Sequence, residues 1–422
     1  MTEEATYPRY RWFLLFIAWF LMTMMGYNNM MFNVQYDLLA PPPVGIGLTP
    51  HQFYLCITAT TLAPVVMALA SGLLTDRIGV KRVVLIGSII AVVFGLLRIL
   101  ATGFVDMFIY CIVMGVGLGT LGGNAPKLVG QWFHVKQIYL GIGLILTALA
   151  VGPMLSLATG ALWPSWSYGF LVVGLLLAVA TVVWAIWGKD RPREYLDHGR
   201  TIVGVPMKEG LLAVIRSKNL WLIVGTYALA NSLITAYVGG MPLIYVEERG
   251  VPRELAGLVC AIGGLGYAVG IPLFAWFAEK VGYIKPVLVV GVGLAGLGGY
   301  MTYLFAPNIG MWLFAVTPGF CMGAAPGLIM QMPLRFKEIG TRYAGSAVGL
   351  IGSINAGVTF IMLPFVFEPM WAAFGSNWAV PLFFVTFAAI AGLLFIFSKE
   401  VGRKYLQREF EQLAAKGEPD SS

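Results

Sequence analysis

"GLLTDRIGVKR", residues 72–82, places one acid and three bases in eleven positions of a chain that is only 11% charged. Long apolar runs lie on both sides of it. A short charged turn between two such runs reads as the connection between two membrane-spanning helices, and the whole chain supports that reading. Of its 422 residues 59% are hydrophobic and 52 are glycine, and the mean hydropathy is +0.81. These values lie outside the range of soluble domains. About 20 predominantly apolar residues cross the hydrocarbon layer as a helix, and only helices or closed barrels satisfy every backbone group there. The runs lack the alternation of a barrel strand. The fold class is therefore an all-α membrane protein.

Twelve spans are predicted, near 12–36, 51–74, 83–103, 106–130, 138–161, 166–187, 220–245, 255–278, 285–306, 309–333, 343–367 and 377–398. Lys and Arg stay on the cytoplasmic side when a chain inserts. One set of connections and both termini hold 23 of the 27 bases, the opposite set holds Arg249 and Arg253, and Arg98 and Lys127 fall inside spans. The expectation is a multi-pass protein of a cell inner membrane or plasma membrane with both termini cytoplasmic. The net charge of +7 follows from that asymmetry, so it points to anionic lipid and not to nucleic acid. The first span is too long for a signal-peptide core and no small-residue cleavage site follows it, so it is expected to be retained. Cys56, Cys111, Cys260 and Cys321 all fall within spans without metal or disulfide spacing, and His51, His134 and His198 lie at span ends or in loops. No metal, cofactor or catalytic residue is expected, and the largest polar segment is too short for an enzyme domain. The chain is expected to act as a monomer.

Residues 189–218 carry seven bases with Pro192 and Pro206 and separate six spans from six. They read as a cytoplasmic linker between bundles 1–188 and 219–398, with a cytoplasmic tail 399–422. The opening motif returns 203 residues later: in "AWFAEKVGYIK" (275–285), Glu279 falls over Asp76, Lys280 over Arg77, Gly282 over Gly79 and Lys285 over Arg82. Phe336 falls on Phe133 at the same offset, and Tyr343 and Gly345 match Tyr139 and Gly141 one residue later. The expected architecture is twelve transmembrane helices in two pseudo-symmetric six-helix bundles.

In the turn itself Gly72 permits close helix approach, Gly79 permits a left-handed conformation, and the acid and bases can pair with helix ends. Gly72, Leu74, Asp76, Arg77, Gly79 and Lys81 match the pattern G-x-L-x-D-R-x-G-R-[RK], with Val80 in place of one base. Here the sequence resembles the major facilitator superfamily. The resemblance implies a secondary transporter working by alternating access. It also implies a conformational latch formed by Gly72, Asp76, Arg77, Gly79, Lys81 and, in the second copy, Glu279. Asp76 is then expected to act on the start of span 11, near Arg342 to Gly345. The family's span 4 pattern R-x-x-x-G-x-G is not kept, since Cys111 stands where its arginine would be.

The resemblance also implies that spans 1, 4, 7 and 10 line the transport path. Polar residues inside lining spans are costly when they face lipid. The candidates for substrate contact are Asn29 and Asn33 in span 1, Asn124 and Lys127 in span 4, Asn231 beside Thr235 in span 7, and Asn355 in span 11. Each asparagine serves equally as interhelical glue. No acid lies at mid-depth. Arg98 is expected to snorkel outward or to pair with Asp106, and Lys127 to face the path or snorkel to the cytoplasmic end. A cation in the path selects an anion, and "GNAPKLVGQWF" followed by "YLGIG" looks like the span 4 to 5 region of organic-anion and cyanate carriers. The preferred reading is transport of a small organic anion such as a carboxylate. The alternative is efflux of a neutral or cationic drug-like compound by proton antiport, favoured by 19 Met and 26 Phe and by Gly152-Pro153 in span 5.

Overall fold

The computed structural model describes residues 9–40, 45–133, 135–190, 214–336 and 338–415, save for some side chains within them. Every regular element there is helical. Eleven segments are long and apolar enough to cross a bilayer. Span 1 is Tyr10–Val34, span 3 Val80–Leu100, span 4 Phe104–Trp132, span 5 Leu140–Leu162 and span 6 Trp166–Trp187. Span 7 is Lys218–Glu247, span 8 Arg253–Val281, span 9 Lys285–Leu304, span 10 Gly310–Ile329, span 11 Ser346–Phe374 and span 12 Ser376–Phe397. Span 2 completes the twelve but is broken into Pro50–Ala59 and Leu62–Ile78. The break has a local cause. The hydroxyls of Thr60 and Thr61 donate to the carbonyls of Ile57 (3.2 Å) and Thr58 (2.7 Å), competing with the helical ladder. The chain is a multi-pass membrane protein, and stripes such as Leu175, Val179, Val182 and Ile186 on span 6 stand exposed, as lipid-facing residues do.

Contacts divide the chain into two units, Met1–Val203 with Pro252–Ala261, and Gly204–Val251 with Ile262–Ser422. Most of the predicted linker, 191–213, lies outside the described residues. In the first unit span 3 packs on span 4, span 1 on spans 5 and 6, span 3 on span 6, and span 2 on span 4. The second unit repeats the scheme: span 9 packs on span 10, span 7 on spans 11 and 12, and span 9 on span 12. The pairing of spans 2 and 4 recurs in spans 8 and 10.

Glycine makes these approaches close enough for backbones to touch. A Cβ on Gly115 would lie 2.1 Å from the carbonyl oxygen of Thr60 at the break in span 2, and one on Gly270 would lie 2.1 Å from that of Phe320. Span 5 is interrupted at Thr147, whose hydroxyl bonds back to Leu144 O at 2.7 Å, and the helix Ala148–Thr159 runs through Pro153. Gly152 and Pro153 pack on Gly26 of span 1. In span 7 the helix widens to a π segment, Ala236–Gly240, shortly before Pro242. Span 11 does the same over Met362–Phe367, which contains Pro364. Proline removes an amide donor and crowds the preceding turn, and the wider turn relieves both.

Candidate functional site

The charged turn between spans 2 and 3 is built on Gly79, whose φ of +89° only glycine adopts without strain. The side chains of Asp76 and Arg342, and the surroundings of Gly72 and Gly345, lie outside what the structure describes. Arg77 is exposed in the last turn of span 2, suited to the negative end of that helix. The acid seen at the turn is Asp190, just past span 6. Its Oδ1 accepts the backbone N–H of Lys81 at 2.9 Å, and a Cβ on Gly79 would lie 2.5 Å from its Oδ2. The carboxylate thus caps the N-terminus of span 3, where backbone donors lack partners.

The second unit repeats the device. Gly282 has φ +81°, and the Glu400 carboxylate, just past span 12, accepts the N–H groups of Ile284 (3.0 Å) and Lys285 (2.9 Å). It also accepts those of Val401 (3.0 Å) and Gly402 (2.7 Å). Glu279 reaches Arg335 at 3.6 Å, and Lys280 lies over the Trp276 ring. Asp190 and Glu400 were not among the sequence candidates, although a signal exists: "KDRPREYL" (189–196) and "KEVGRKYL" (399–406) share K-[DE]-x-x-R-x-Y-L.

Arg98 overturns its sequence expectation. It neither snorkels nor meets Asp106, whose carboxylate accepts from the Thr102 hydroxyl (2.7 Å) and N–H (3.2 Å). Arg98 points into the first unit and is 0% exposed. Its Nη2 donates to the Asn28 carbonyl at 3.0 Å and to Asn28 Oδ1, and its Nε donates to Gly95 O at 3.3 Å. The guanidinium carbon lies 4.3 Å from the centre of the Phe170 ring and 5.5 Å from that of Phe32. The thiols of Cys56 and Cys111 stand within electrostatic reach. Among the described residues no carboxylate lies within ion-pair distance of it.

The span 1 candidates continue from this anchor. Asn29 is buried, with Oδ1 unpaired among the described residues. Asn33 is buried in the 3-10 turn Met31–Val34, and its Nδ2 lies 3.3 Å from Met30 Sδ. Asn124 is fully buried; it donates to Thr120 O and accepts from the Thr75 hydroxyl, both at 2.7 Å, which joins spans 2 and 4. Lys127, one turn further, is half-buried. In the second unit Asn231 Nδ2 donates to Thr359 Oγ1 at 3.3 Å, joining spans 7 and 11, and Thr235 bonds back to Asn231 O. Asn355 is half-buried, with Oδ1 unpaired among the described residues.

The pattern of the Major Facilitator Superfamily matches residues 11–363. The chain belongs to that superfamily. Among curated relatives, it is 23% identical to a hexuronate transporter of Bacillus subtilis over 53% of this chain and 56% of that one, so it spans little more than half of that relative. It is 25% identical to the 4-hydroxybenzoate transporter PcaK of Pseudomonas putida over 75% of this chain and 79% of that one. Its fold is similar to that of a D-xylose-proton symporter, with TM-score 0.71, 14% identity, and coverage of 92% of this chain and 98% of that one. Within the superfamily pattern, Cys111 occupies the arginine position of span 4, and the buried guanidinium beside it comes from span 3.

Proposed function

We propose that this protein is a secondary transporter that carries a small organic anion, a carboxylate in particular, across the cytoplasmic membrane by alternating access. One observation supports the reading most: inside the described spans the fully buried charge is a cation, Arg98, and no acid is buried with it. A fixed positive charge in a poorly polarisable interior lowers the energy of an approaching anion and repels a cation. That argues against efflux of cationic compounds. The hexuronate and 4-hydroxybenzoate named for the two relatives are both carboxylates.

Lys127 in the first unit is the candidate for direct charge pairing with cargo. Asn29 and Asn33, and Asn231 and Asn355 in the second unit, are the candidates for hydrogen bonding to its polar groups. Asn124 shares the Lys127 face, but its side chain is engaged with Thr75 and Thr120 and supports the site by joining spans 2 and 4. The turn residues Gly72, Asp76, Arg77, Gly79, Lys81 and Glu279 serve conformational exchange rather than recognition. With no acid buried inside the described spans, coupling by anion exchange, or entry of the acid in protonated form, is favoured over symport through a proton-carrying carboxylate.

Uptake into liposomes containing the purified protein tests this. Labelled monocarboxylates, dicarboxylates and small inorganic anions are offered beside uncharged analogues. The expected result is saturable uptake of a carboxylate, lost in Lys127→Ala while the protein stays folded by circular dichroism. Carriage of neutral or cationic compounds alone would refute the reading; unchanged uptake by Lys127→Ala would remove that residue from the site and leave the substrate class standing.

A further inference from the structure

Arg98 stays protonated at any accessible pH, because a guanidinium does not release its proton in proteins. Burying such a charge without a carboxylate is costly, and a buried ion without an anionic partner keeps a field that extends beyond its contacts. Here the contacts are a carbonyl, an amide oxygen, a second carbonyl, the Cys111 thiol and two aromatic faces. All are neutral; none cancels the charge. Nη1 keeps no hydrogen-bond partner among the described residues. The charge is also tied to the candidate site by covalent geometry. Asn28 O and Oδ1 both accept from Arg98, so the last α-helical turns of span 1, ending at Met30, are pinned where the chain tightens into Met31–Val34. Asn29 and Asn33, on the two sides of that transition, take their positions from it.

We infer that Arg98 is a specificity-determining residue: its unneutralised charge, held against Asn28, makes the first unit prefer an anionic cargo over an uncharged one of the same shape. The inference rests on the proposed anion transport and deepens it. Arg98 touches no cargo in this arrangement. It acts through its field and through the Asn28 end of span 1. A unit charge about 9 Å away, through an effective dielectric near 20, alters affinity by roughly ten- to thirtyfold.

Two substitutions separate this role from packing. Arg98→Gln removes the charge. Asn28→Asp keeps the guanidinium and nearly the same shape but sets a carboxylate against it, which cancels the field and adds an ion pair that a purely structural role would welcome. The probes are glucuronate and 4-hydroxybenzoate, each paired with its uncharged primary amide, in competition for uptake by liposomes containing the full chain. Both variants are expected to lose roughly tenfold in the affinity ratio of carboxylate over amide. Arg98→Lys, which keeps the charge, is expected to retain most of the ratio. Should Arg98→Gln fail to fold, Asn28→Asp alone decides the matter. A parent protein that carries carboxylate, together with an unaltered ratio in Asn28→Asp, overturns this inference and leaves the function standing. A parent protein that takes the uncharged amides but neither carboxylate overturns both.

Discussion

At the scale of single residues, the two glycine turns make the sharpest claim. Gly79 and Gly282 each have positive φ, and each has a neighbouring side chain where a Cβ would go, Asp190 Oδ2 at 2.5 Å and Lys404 Cγ at 2.5 Å. Gly79→Ala is expected to cost about 1–3 kcal/mol, from backbone strain and displacement of the capping carboxylate. Gly282→Ala is expected to cost a similar amount, since the atoms in the way are Cγ, Cδ and Cβ of Lys404, the part of that side chain nearest its backbone. Thermal unfolding of detergent-solubilised protein reads both. Asp190→Ala is expected to weaken the cap by about 1 kcal/mol. The turn was legible in the sequence because glycine between helices has few other uses. Its capping acid was not, because Asp190 is 111 positions from Asp76's neighbour Gly79 in a segment that charge alone marks as linker. Arg98 was misread for a related reason. Near a span end an arginine is ordinarily drawn to the headgroups, and only the placement of Phe32, Phe170 and Asn28 around one point reverses that preference.

At the scale of elements, glycine spacing determines which helices touch. Gly270→Leu would drive side-chain carbon into the backbone of span 10, which cannot step aside, so the variant is expected to lose its monodisperse peak in size-exclusion chromatography. Gly293→Ala, where nothing lies within 4 Å, is the control and should behave as the parent. The π segments of spans 7 and 11 pack on each other, with Gly240 against Phe367 and Leu363. Proline positions hint at bends, but a widened turn depends on a neighbour shaped to accept it. The start of span 7 is held by Glu338, which accepts from Ser217 (3.1 Å) and Asn219 (3.2 Å). Partial burial pushes this carboxyl up, but hydrogen bonds from its own backbone, Asn219 and Ser217, with the Lys399 charge, outweigh that and hold it below its ordinary 4.5. A carboxyl with a depressed folded value stabilises at pH above the ordinary value and loses that contribution as pH falls through the lower one. The stability difference between parent and Glu338→Gln is therefore expected at neutral pH and should shrink below pH 4.5. A flat difference across that range would exclude the role.

At the scale of the whole molecule, the distribution of bases predicts that both termini face the cytoplasm. A fluorescent protein fused after Ser422 should mature and fluoresce in cells, whereas a periplasmic alkaline phosphatase at the same place should stay inactive; the reverse pair of results would invert the topology. Composition and run length alone determined that this is a helical membrane protein of twelve spans. The reason is that the bilayer requires about 20 apolar residues per crossing whatever the neighbours are. The repeated turn likewise marked the duplicated architecture, because a left-handed glycine and its flanking charges are local requirements. What only the tertiary structure decided is where polar groups point. An asparagine inside a helix serves as glue or as ligand according to what faces it. Thus Asn124 joins two spans, while Asn29 keeps an open acceptor. The burial of Arg98 belongs to the same category, since an unneutralised charge is tolerable only where carbonyls and aromatic faces from separate spans converge, and that convergence is written in no single stretch of the chain.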